Sequence, residues 1–232
     1  MDSMLQAEEF LEKSKKDLLQ HELFSDPFIE KISNIDILEI NVARKFAELY
    51  YPHILRTRLY QANALGICPD ENIQFVLADI LHDEYGLGDI QRSHMQQYRN
   101  FMSALGLKLK QAKQYEIIPE LQLYISSMEQ LTRNGHWMEA VAAVGVASEW
   151  PIPKYYELLL KGLRKIQNIQ DQDLELFIGH IELDIEHSRM IEQALLPYLQ
   201  DENYRHHFTK GIDLNMNARK ILHSGLYREL FV

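Results

Sequence analysis

Residues 177–190 have the sequence FIGHIELDIEHSRM, which carries three potential metal ligands at short intervals. His180, Asp184 and His187 are separated by four and three positions. At 3.6 residues per turn, this spacing places all three side chains on one face of one helix. Two imidazole nitrogens and one carboxylate suit a redox metal such as iron or manganese, and zinc accepts the same ligands. A solvated helix face or a His–Asp hydrogen-bonded pair would produce the same pattern.

The three side chains are set among apolar neighbours, including Phe177, Ile178 and Ile181. We therefore expect at least part of the trio to face the protein interior. Burying two histidines and an aspartate costs on the order of several kcal/mol unless the groups are paired or bind a metal. The pattern thus predicts a partly buried polar site on an amphipathic helix.

The composition excludes several classes of protein. The 232 residues carry a net charge of −10, from 24 basic and 34 acidic residues, which argues against a nucleic-acid surface. Long uncharged apolar runs are absent, so we expect no transmembrane helix, and the first 20 residues lack the apolar core of a signal peptide. Cys68 is the sole cysteine, which excludes an intrachain disulfide and fits a reducing compartment. We predict a cytoplasmic protein that binds neither nucleic acid nor membranes.

Helical periodicity runs through the whole chain, and strand-like alternation is absent. We predict an all-α fold in a single domain over residues 1–232. The helices are expected at about 4–20, 36–62, 70–84, 89–105, 115–133, 136–149, 152–167, 171–200 and 202–228. The uncharged string VAAVGVAS at 141–148 is interpreted as a buried helix whose small residues allow close packing.

A second candidate pair lies on either side of a glycine-containing turn. Glu84 falls at the C-terminal end of a predicted helix, where the helix dipole disfavours a carboxylate by a few tenths of a kcal/mol. His94 falls in the first turns of the next helix, so the two side chains can converge. A bound metal would offset the unfavourable position of Glu84. A capping or surface role for Glu84 and a core position for His94 are the alternatives.

Glu149 is the sixth candidate. It follows the uncharged string VAAVGVAS, and a carboxylate at the end of a buried helix is costly without a partner. The alternative is a helix end that reaches solvent near Trp150 and Pro151. Three carboxylates and three imidazoles on four helices would suit two irons with open positions for oxygen and substrate. The ferritin pattern of two Glu-x-x-His motifs fits poorly, because only Asp184-x-x-His187 is comparable.

Three segments, taken in order, resemble a known family. They are DEYGLGDIQRSH at 83–94, SEWPIPKYY at 148–156 and HIELDIEH at 180–187. With these segments the chain resembles the heme-oxygenase-like diiron oxidases, within the larger group that includes TenA-like (thiaminase II-like) and PqqC-like (quinone-synthase-like) proteins. The resemblance covers about residues 40–228.

The resemblance implies a heme-oxygenase-like bundle of seven to nine helices with two Fe ions and O2 as co-substrate. An external electron donor and a homodimer are also implied. All six ligand positions are filled, by Glu84, His94, Glu149, His180, Asp184 and His187, with Glu149 as the bridging carboxylate.

Two departures from the family narrow the reaction. Residues 53–66 contain no acid, which argues against N-oxygenation, and Ser148 replaces the tyrosine of the self-consuming members. The remaining reactions are carbon–carbon scission, desaturation or amine-to-nitrile conversion of an external amino acid or other small carboxylate, in a biosynthetic pathway.

Several residues near these motifs are candidates for substrate binding. Arg56 and Arg58 could clamp a carboxylate, or could pair with surface acids. Four further candidates border the predicted ligands and could line a pocket, or could belong to the core or the surface: Tyr85, Trp150, Lys154 and Tyr155.

A different class of function remains open. The same sequence would suit a metal-free TenA/PqqC-like bundle that binds a ligand or acts as a regulatory or interaction protein. The two hypotheses differ in one measurable property, because the metal-free bundle would bind no stoichiometric metal under anaerobic conditions. TenA-like hydrolysis is disfavoured, because it uses a cysteine nucleophile and Cys68 lies far from the motifs.

Overall fold

The computed structural model describes residues 3–232, and every regular element within that range is helical. The α-helices are α1 Ser3–Leu19, α2 Pro27–Ser33, α3 Ile40–Ile54, α4 Thr57–Ile67, α5 Glu71–Glu84, α6 His94–Ala104, α7 Pro119–Asn134, α8 Trp137–Val141, α9 Ile152–Leu163, α10 Glu175–Leu195 and α11 Glu202–Phe231. A π-helical segment, Ala142–Val146, continues α8. The all-α prediction is confirmed. Residues 1 and 2 of the predicted domain lie outside the described residues.

The number of helices is near the predicted range of seven to nine. Nine of the α-helices described in residues 3–232 have at least eleven residues, and only α2 and α8 are shorter. No described helix combines the length and apolar character required to cross a bilayer. Short 3-10 turns join several of the helices, for example directly before α6 and α10.

Helix α10 is the element that positions the site. It packs against α5, α6, α9 and the π-helical segment. Its apolar face buries Leu176, Phe177 and Ile191, which are at most 2% exposed. Burial of such side chains contributes roughly 1.5–3 kcal/mol each. The neighbours of α10 therefore include the elements that carry or precede the other candidate ligands.

The predicted helix at 36–62 is wrong in one respect, because the structure divides it into α3 and α4 at Leu55 and Arg56. Pro52 lies inside α3 and has no amide hydrogen to donate. The Arg56 guanidinium donates to the Pro52 carbonyl at 2.9 Å, while the Arg56 amide bonds to His53 O at 2.9 Å. The helix tightens and ends there, and residues from both sides of the break line the cavity described below.

The uncharged segment before Glu149 is helical, as expected, but it is more loosely wound. The amide of Ala147 donates to Ala142 O at 2.8 Å, a five-residue spacing that leaves Ala143 O available. Asn215 of α11, which is fully buried, donates to Ala143 O at 2.5 Å. Ser148 Oγ also donates to this carbonyl, at 3.2 Å. A buried asparagine thus holds the segment that leads into Glu149.

Helices α8 and α11 approach each other closely at Gly211. A Cβ atom at this position would lie 2.2 Å from the backbone oxygen of Glu139, so only glycine allows the observed backbone distance. Lys210 and His207 on α11 both bond to the Glu139 carboxylate at 2.8 Å. This contact fixes α11 against α8 near Asn215.

Candidate metal centre

Glu84 and His94 converge across the turn between α5 and α6. Glu84 is the last residue of α5, and His94 is the first residue of α6 after the Ser93 cap. Gly86 in this turn has a φ of +79°, and a Cβ there would lie 2.3 Å from Asp89 O. The tight turn brings His94 Nδ1 to 3.2 Å from Glu84 Oε2.

His180 of α10 completes this first cluster. Its ring centroid lies 4.2 Å from that of His94. His180 Nδ1 donates to Leu176 O at 2.6 Å, which fixes the tautomer and leaves Nε2 as a free lone-pair donor. One potential ligand atom from each of Glu84, His94 and His180 lies within 4.8 Å of the others. We call these three residues cluster A.

Glu149, Asp184 and His187 form a second group, cluster B, with the same 4.8 Å limit between ligand atoms. His187 Nδ1 lies 3.5 Å from Glu149 Oε2 and 3.9 Å from Asp184 Oδ1. All three residues are buried, with at most 5% exposure. The structure therefore brings the six predicted residues together as two triads, and α10 contributes to both.

Asp83 is a further member of the site that the sequence analysis did not identify. Its Oδ2 lies 2.7 Å from His187 Nε2. This contact orients the ring so that Nδ1 faces Glu149 and Asp184. A carboxylate behind a ligating histidine is the usual arrangement in metal sites, where it fixes the tautomer and raises ligand basicity.

The electrostatics of cluster B are those of an anionic site. Burial, reinforced by the adjacent charge of Glu149, raises the pKa of Asp184 well above its ordinary value. Burial opposes protonation of His187, but Glu149 and Asp83 outweigh it and raise the pKa of His187 to about 9. Two carboxylates at this depth repel each other unless a proton or a cation lies between them. The cluster is therefore suited to hold a positive ion.

The electrostatics of cluster A differ from those of cluster B, because cluster A contains two imidazoles and one carboxylate. Burial, together with the neighbouring His94, lowers the pKa of His180 to about 3, so its imidazole is neutral. His94 Nδ1 is buried and has no hydrogen-bond partner with acceptable geometry, even though Glu84 is 3.2 Å away. His94 Nδ1 and Glu84 Oε2 thus lie close together without a well-formed hydrogen bond, which is the arrangement expected of two ligands to a common ion.

A small cavity adjoins both clusters. It has a volume of about 70 Å³, and five of the six candidate ligands lie in its wall: Glu84, His94, Glu149, His180 and Asp184. Tyr156 also lines it, and its ring centroid lies 5.7 Å from that of His180. On this scale a water occupies about 10–15 Å³, so the space corresponds to roughly five to seven water-sized groups.

The structure places two of the six substrate candidates at the cavity or near it. Arg58 is part of the wall, and its guanidinium carbon lies 5.6 Å from the centroid of the Tyr85 ring. Tyr85 itself is 43% exposed. Arg58 and Tyr85 therefore form a cation–π pair that links the cavity wall to an exposed aromatic ring.

The other four candidates do not line the cavity. Arg56 is engaged with Pro52 O in its own helix. Trp150 Nε1 donates to Glu192 Oε1 at 2.6 Å, and Lys154 Nζ donates to Leu19 O at 2.6 Å. Tyr155 is fully buried, and its ring stacks on that of His223 at 5.3 Å. These contacts assign the four side chains to the packing of the bundle.

Several cavity residues were missed, the most notable being Arg219 of α11. It is 5% exposed and lies in the wall with Gln61 and His53. A signal for Arg219 exists in the sequence. Inward positions of α11 recur at three- and four-residue spacing through Ile212, Met216, Arg219, Leu222 and Leu226. A charge on such a stripe indicates a buried polar function.

Comparison with protein families gives one decisive match. The family model described as iron-containing redox enzyme covers residues 44–220, which is most of the chain and includes every candidate ligand. The chain belongs to the iron-containing redox enzyme family. No curated protein sequence gave a significant match.

Solved structures agree with this family at the level of the fold. A domain of unknown function with a heme-oxygenase-like fold from Shewanella denitrificans aligns with a TM-score of 0.77 at 13% identity, over 94% of this chain and 91% of the other. A CADD-like protein of unknown function from Nostoc punctiforme aligns with 0.80 at 13%, over 98% and 100%. A TenA homologue from P. horikoshii aligns with 0.69 at 12%, over 96% and 98%. The predicted heme-oxygenase-like bundle is confirmed.

Proposed function

We propose that this member of the iron-containing redox enzyme family is a non-heme diiron oxidase of the heme-oxygenase-like type. Its substrate would be a small external molecule, an amino acid or another small carboxylate, which is oxidised with O2. The observation that carries the proposal is the pair of triads, clusters A and B, of whose six residues five line one cavity. Three imidazoles and three carboxylates are a mixed nitrogen and oxygen ligand set of the kind that non-heme iron uses.

The fit of two ions is supported by a ligand atom without a partner in cluster A and by two adjacent carboxylates in cluster B. His94 Nδ1 is buried without a hydrogen bond. Glu149 and Asp184 have partners, but these two acids are buried against each other. An ion in each cluster would bind the free nitrogen and separate the two carboxylates. Three protein donors per ion leave coordination positions open. Bound iron would supply electron transfer to O2, which the side chains of this chain cannot supply themselves.

The protein groups around the triads would position the ligands and exclude water. Leu176 O and Asp83 each hold one ligating histidine in a defined tautomer. Tyr156 and Ile152 form part of the apolar wall beside the ligands. The small volume of the cavity favours a small substrate. The reaction on the substrate would be carbon–carbon scission, desaturation or amine-to-nitrile conversion. An external donor would supply the electrons for O2 reduction that the substrate does not provide.

The metal-free TenA-like alternative is less well supported. Cys68 is buried, contacts Asp70 O at 3.8 Å, and is not part of the cavity wall. Burial raises the pKa of the Cys68 thiol, which disfavours the thiolate that a nucleophile needs. The likeness to the P. horikoshii TenA homologue concerns the fold alone.

The proposal is tested by anaerobic Fe(II) titration followed by an O2 pulse in a stopped-flow spectrometer. We expect two irons per chain and a transient visible absorption whose formation accelerates with a pool of amino acids or a pool of fatty acids. Asp184→Asn should lose iron from cluster B, while Asp79→Asn, an exposed position on α5, should bind as the wild type does. If the wild-type protein binds iron no more strongly than the Asp184→Asn variant does, the proposal is refuted. The homodimer remains a prediction, for which sedimentation is the measurement.

A further inference from the structure

The buried arginine of the cavity forms no ion pair with the described residues, and its charge reaches Asp184 only through space. Arg219 is 5% exposed, and its Nε has no hydrogen-bond partner. Within residues 3–232 no carboxylate lies within ion-pair distance of its guanidinium. The Tyr124 hydroxyl hydrogen bonds with the guanidinium, but it is neutral. Arginine does not lose its proton in proteins, so Arg219 is a buried charge that an incoming anion would compensate.

Three neutral polar groups line the cavity together with Arg219. His53 Nδ1, the Tyr60 hydroxyl and Gln61 Oε1 line the same cavity and also lack hydrogen-bond partners. Burial, together with the charge of Arg219, lowers the pKa of His53 to about 3, so this ring is neutral. Unsatisfied buried polar groups of this kind are rare in native proteins and indicate a place for a ligand or ordered water. The wall thus combines one buried positive charge, Arg219, with neutral hydrogen-bonding groups.

The charges at the candidate metal centre lead to the same conclusion. Four carboxylates belong to the centre: Glu84, Glu149, Asp184 and Asp83. Two divalent cations would balance them, which leaves Arg219 as the uncompensated charge in the interior. One carboxylate group on the substrate would restore the balance. Bound divalent ions would add positive charge beside the cavity and would therefore favour an anionic ligand.

We propose that Arg219 binds the carboxylate group of a short-chain acid and thereby anchors the substrate in the cavity beside clusters A and B. This inference rests on the proposed function for the role of the bound acid, but the binding itself can be measured without turnover. The planar guanidinium can donate two parallel hydrogen bonds to a carboxylate, a geometry that fixes orientation as well as position. Arg219 therefore takes the clamp role that the sequence suggested for Arg56 and Arg58.

The size of the acid follows from the cavity. A volume of about 70 Å³ accommodates roughly five to seven water-sized groups, which matches a four-carbon acid and not a long fatty acid. Butanoate is a suitable probe, because butanamide has the same shape without the charge. Octanoate tests the upper limit of chain length.

The experiment is calorimetric titration of these three probes into the anaerobic Fe(II)-loaded protein and into the metal-free protein. We expect butanoate to bind at least tenfold more tightly than butanamide or octanoate, and more tightly with iron than without it. Arg219→Met should lose at least tenfold in butanoate affinity in both forms. Arg219→Lys, which keeps the charge but not the planar fork, should lose severalfold. Arg133→Met, a change of an exposed arginine on α7 outside the cavity, should stay within threefold.

The possible results separate the two proposals. Equal affinity for butanoate and butanamide, or unchanged affinity in Arg219→Met, overturns the inference. Butanoate binding that requires iron and ignores Arg219 places the carboxylate on the metal; the inference then fails while the diiron proposal stands. If butanoate binding depends on Arg219 but the protein takes up no iron, the inference stands and the diiron proposal fails. If Arg219→Met fails to fold by circular dichroism, the wild-type probe comparison and Arg219→Lys decide the question.

Discussion

His187 Nε2 and Asp83 Oδ2 lie 2.7 Å apart, although 104 residues separate them in the chain. The contact joins α10 to the last turn of α5. Asp83 precedes Glu84, so adjacent residues of α5 serve different clusters: Glu84 belongs to cluster A, and Asp83 orients a histidine of cluster B. The end of α5 is thus a common support for both halves of the candidate centre.

Asp83→Asn should weaken metal binding at cluster B. The amide lacks the negative charge that makes His187 a better ligand, and loss of such an outer partner commonly costs 10–100-fold in affinity, so we expect roughly that loss. Anaerobic Fe(II) titration against a competing chelator measures it. Asp79→Asn on the same helix is the control, and equal affinities in the two variants would count against the role of Asp83.

Asn215→Leu should destabilise the π-helical segment. The change removes the donor to Ala143 O and leaves that buried carbonyl poorly satisfied, which costs about 1–3 kcal/mol. The displacement should extend to Glu149 and reduce iron binding. Urea unfolding and iron titration measure the two effects. Asn217→Leu, an exposed position two residues later, should change neither, and an unaltered Asn215→Leu protein would contradict this account.

Gly211→Ala should force α8 and α11 apart. The added methyl group would lie 2.2 Å from Glu139 O, a distance that requires backbone movement, and overpacking of this kind costs about 1–3 kcal/mol. Thermal unfolding is the measurement. Gly66→Ala is the matched control, since its Cβ meets nothing within 4 Å; it should stabilise α4 by about 0.4–1 kcal/mol. Stabilisation by both substitutions would show that the helices can separate freely.

Glu139→Gln should alter the pH dependence of stability. Burial opposes ionisation of Glu139, but hydrogen bonds from Lys210 and His207 lower its pKa below the ordinary value. The ion pair therefore stabilises the fold above the ordinary glutamate pKa, and this contribution is lost as pH falls through the lowered pKa.

We expect Glu139→Gln to be less stable by about 1–2 kcal/mol at neutral pH. The difference should shrink below about pH 4. Urea unfolding across this range tests it. Glu186→Gln removes an exposed pair with Arg189 and should stay within about 0.5 kcal/mol of the wild type. A difference that does not vary with pH would argue against the ion pair.

The candidate ligands were accessible from the sequence because each lies at a position with a local physical meaning. The trio of α10 follows helical spacing, Glu84 ends a helix, and Glu149 follows an uncharged run. Helical neighbours then bring these positions together. Asp83 was missed because its role depends on a contact across 104 residues, which no local spacing encodes.

Three features of the fold were also missed from the sequence: helix α2, the division of 36–62 and the π-helical winding. The sequence contained a start signal for α2, since Asp26 accepts from Ile29 N at 2.8 Å and Pro27 occupies the first helical position. The helix is seven residues long, which is too short for periodicity to reveal. The division of 36–62 depends on the side chain of Arg56 competing for a carbonyl. The π-helical winding depends on Asn215, which lies on another helix.

The arrangement at the end of α5 limits where the chain can change in length. One inserted or deleted residue in the last turn of α5 would rotate the following side chains by about 100°. The side chains of Glu84 and Asp83 would then no longer point toward clusters A and B, and both triads would be disrupted together. Insertions should be tolerated in the exposed segment at 108–114, before α7, which takes no part in the cavity. In this family, differences in loop length should therefore accumulate away from the turn between α5 and α6.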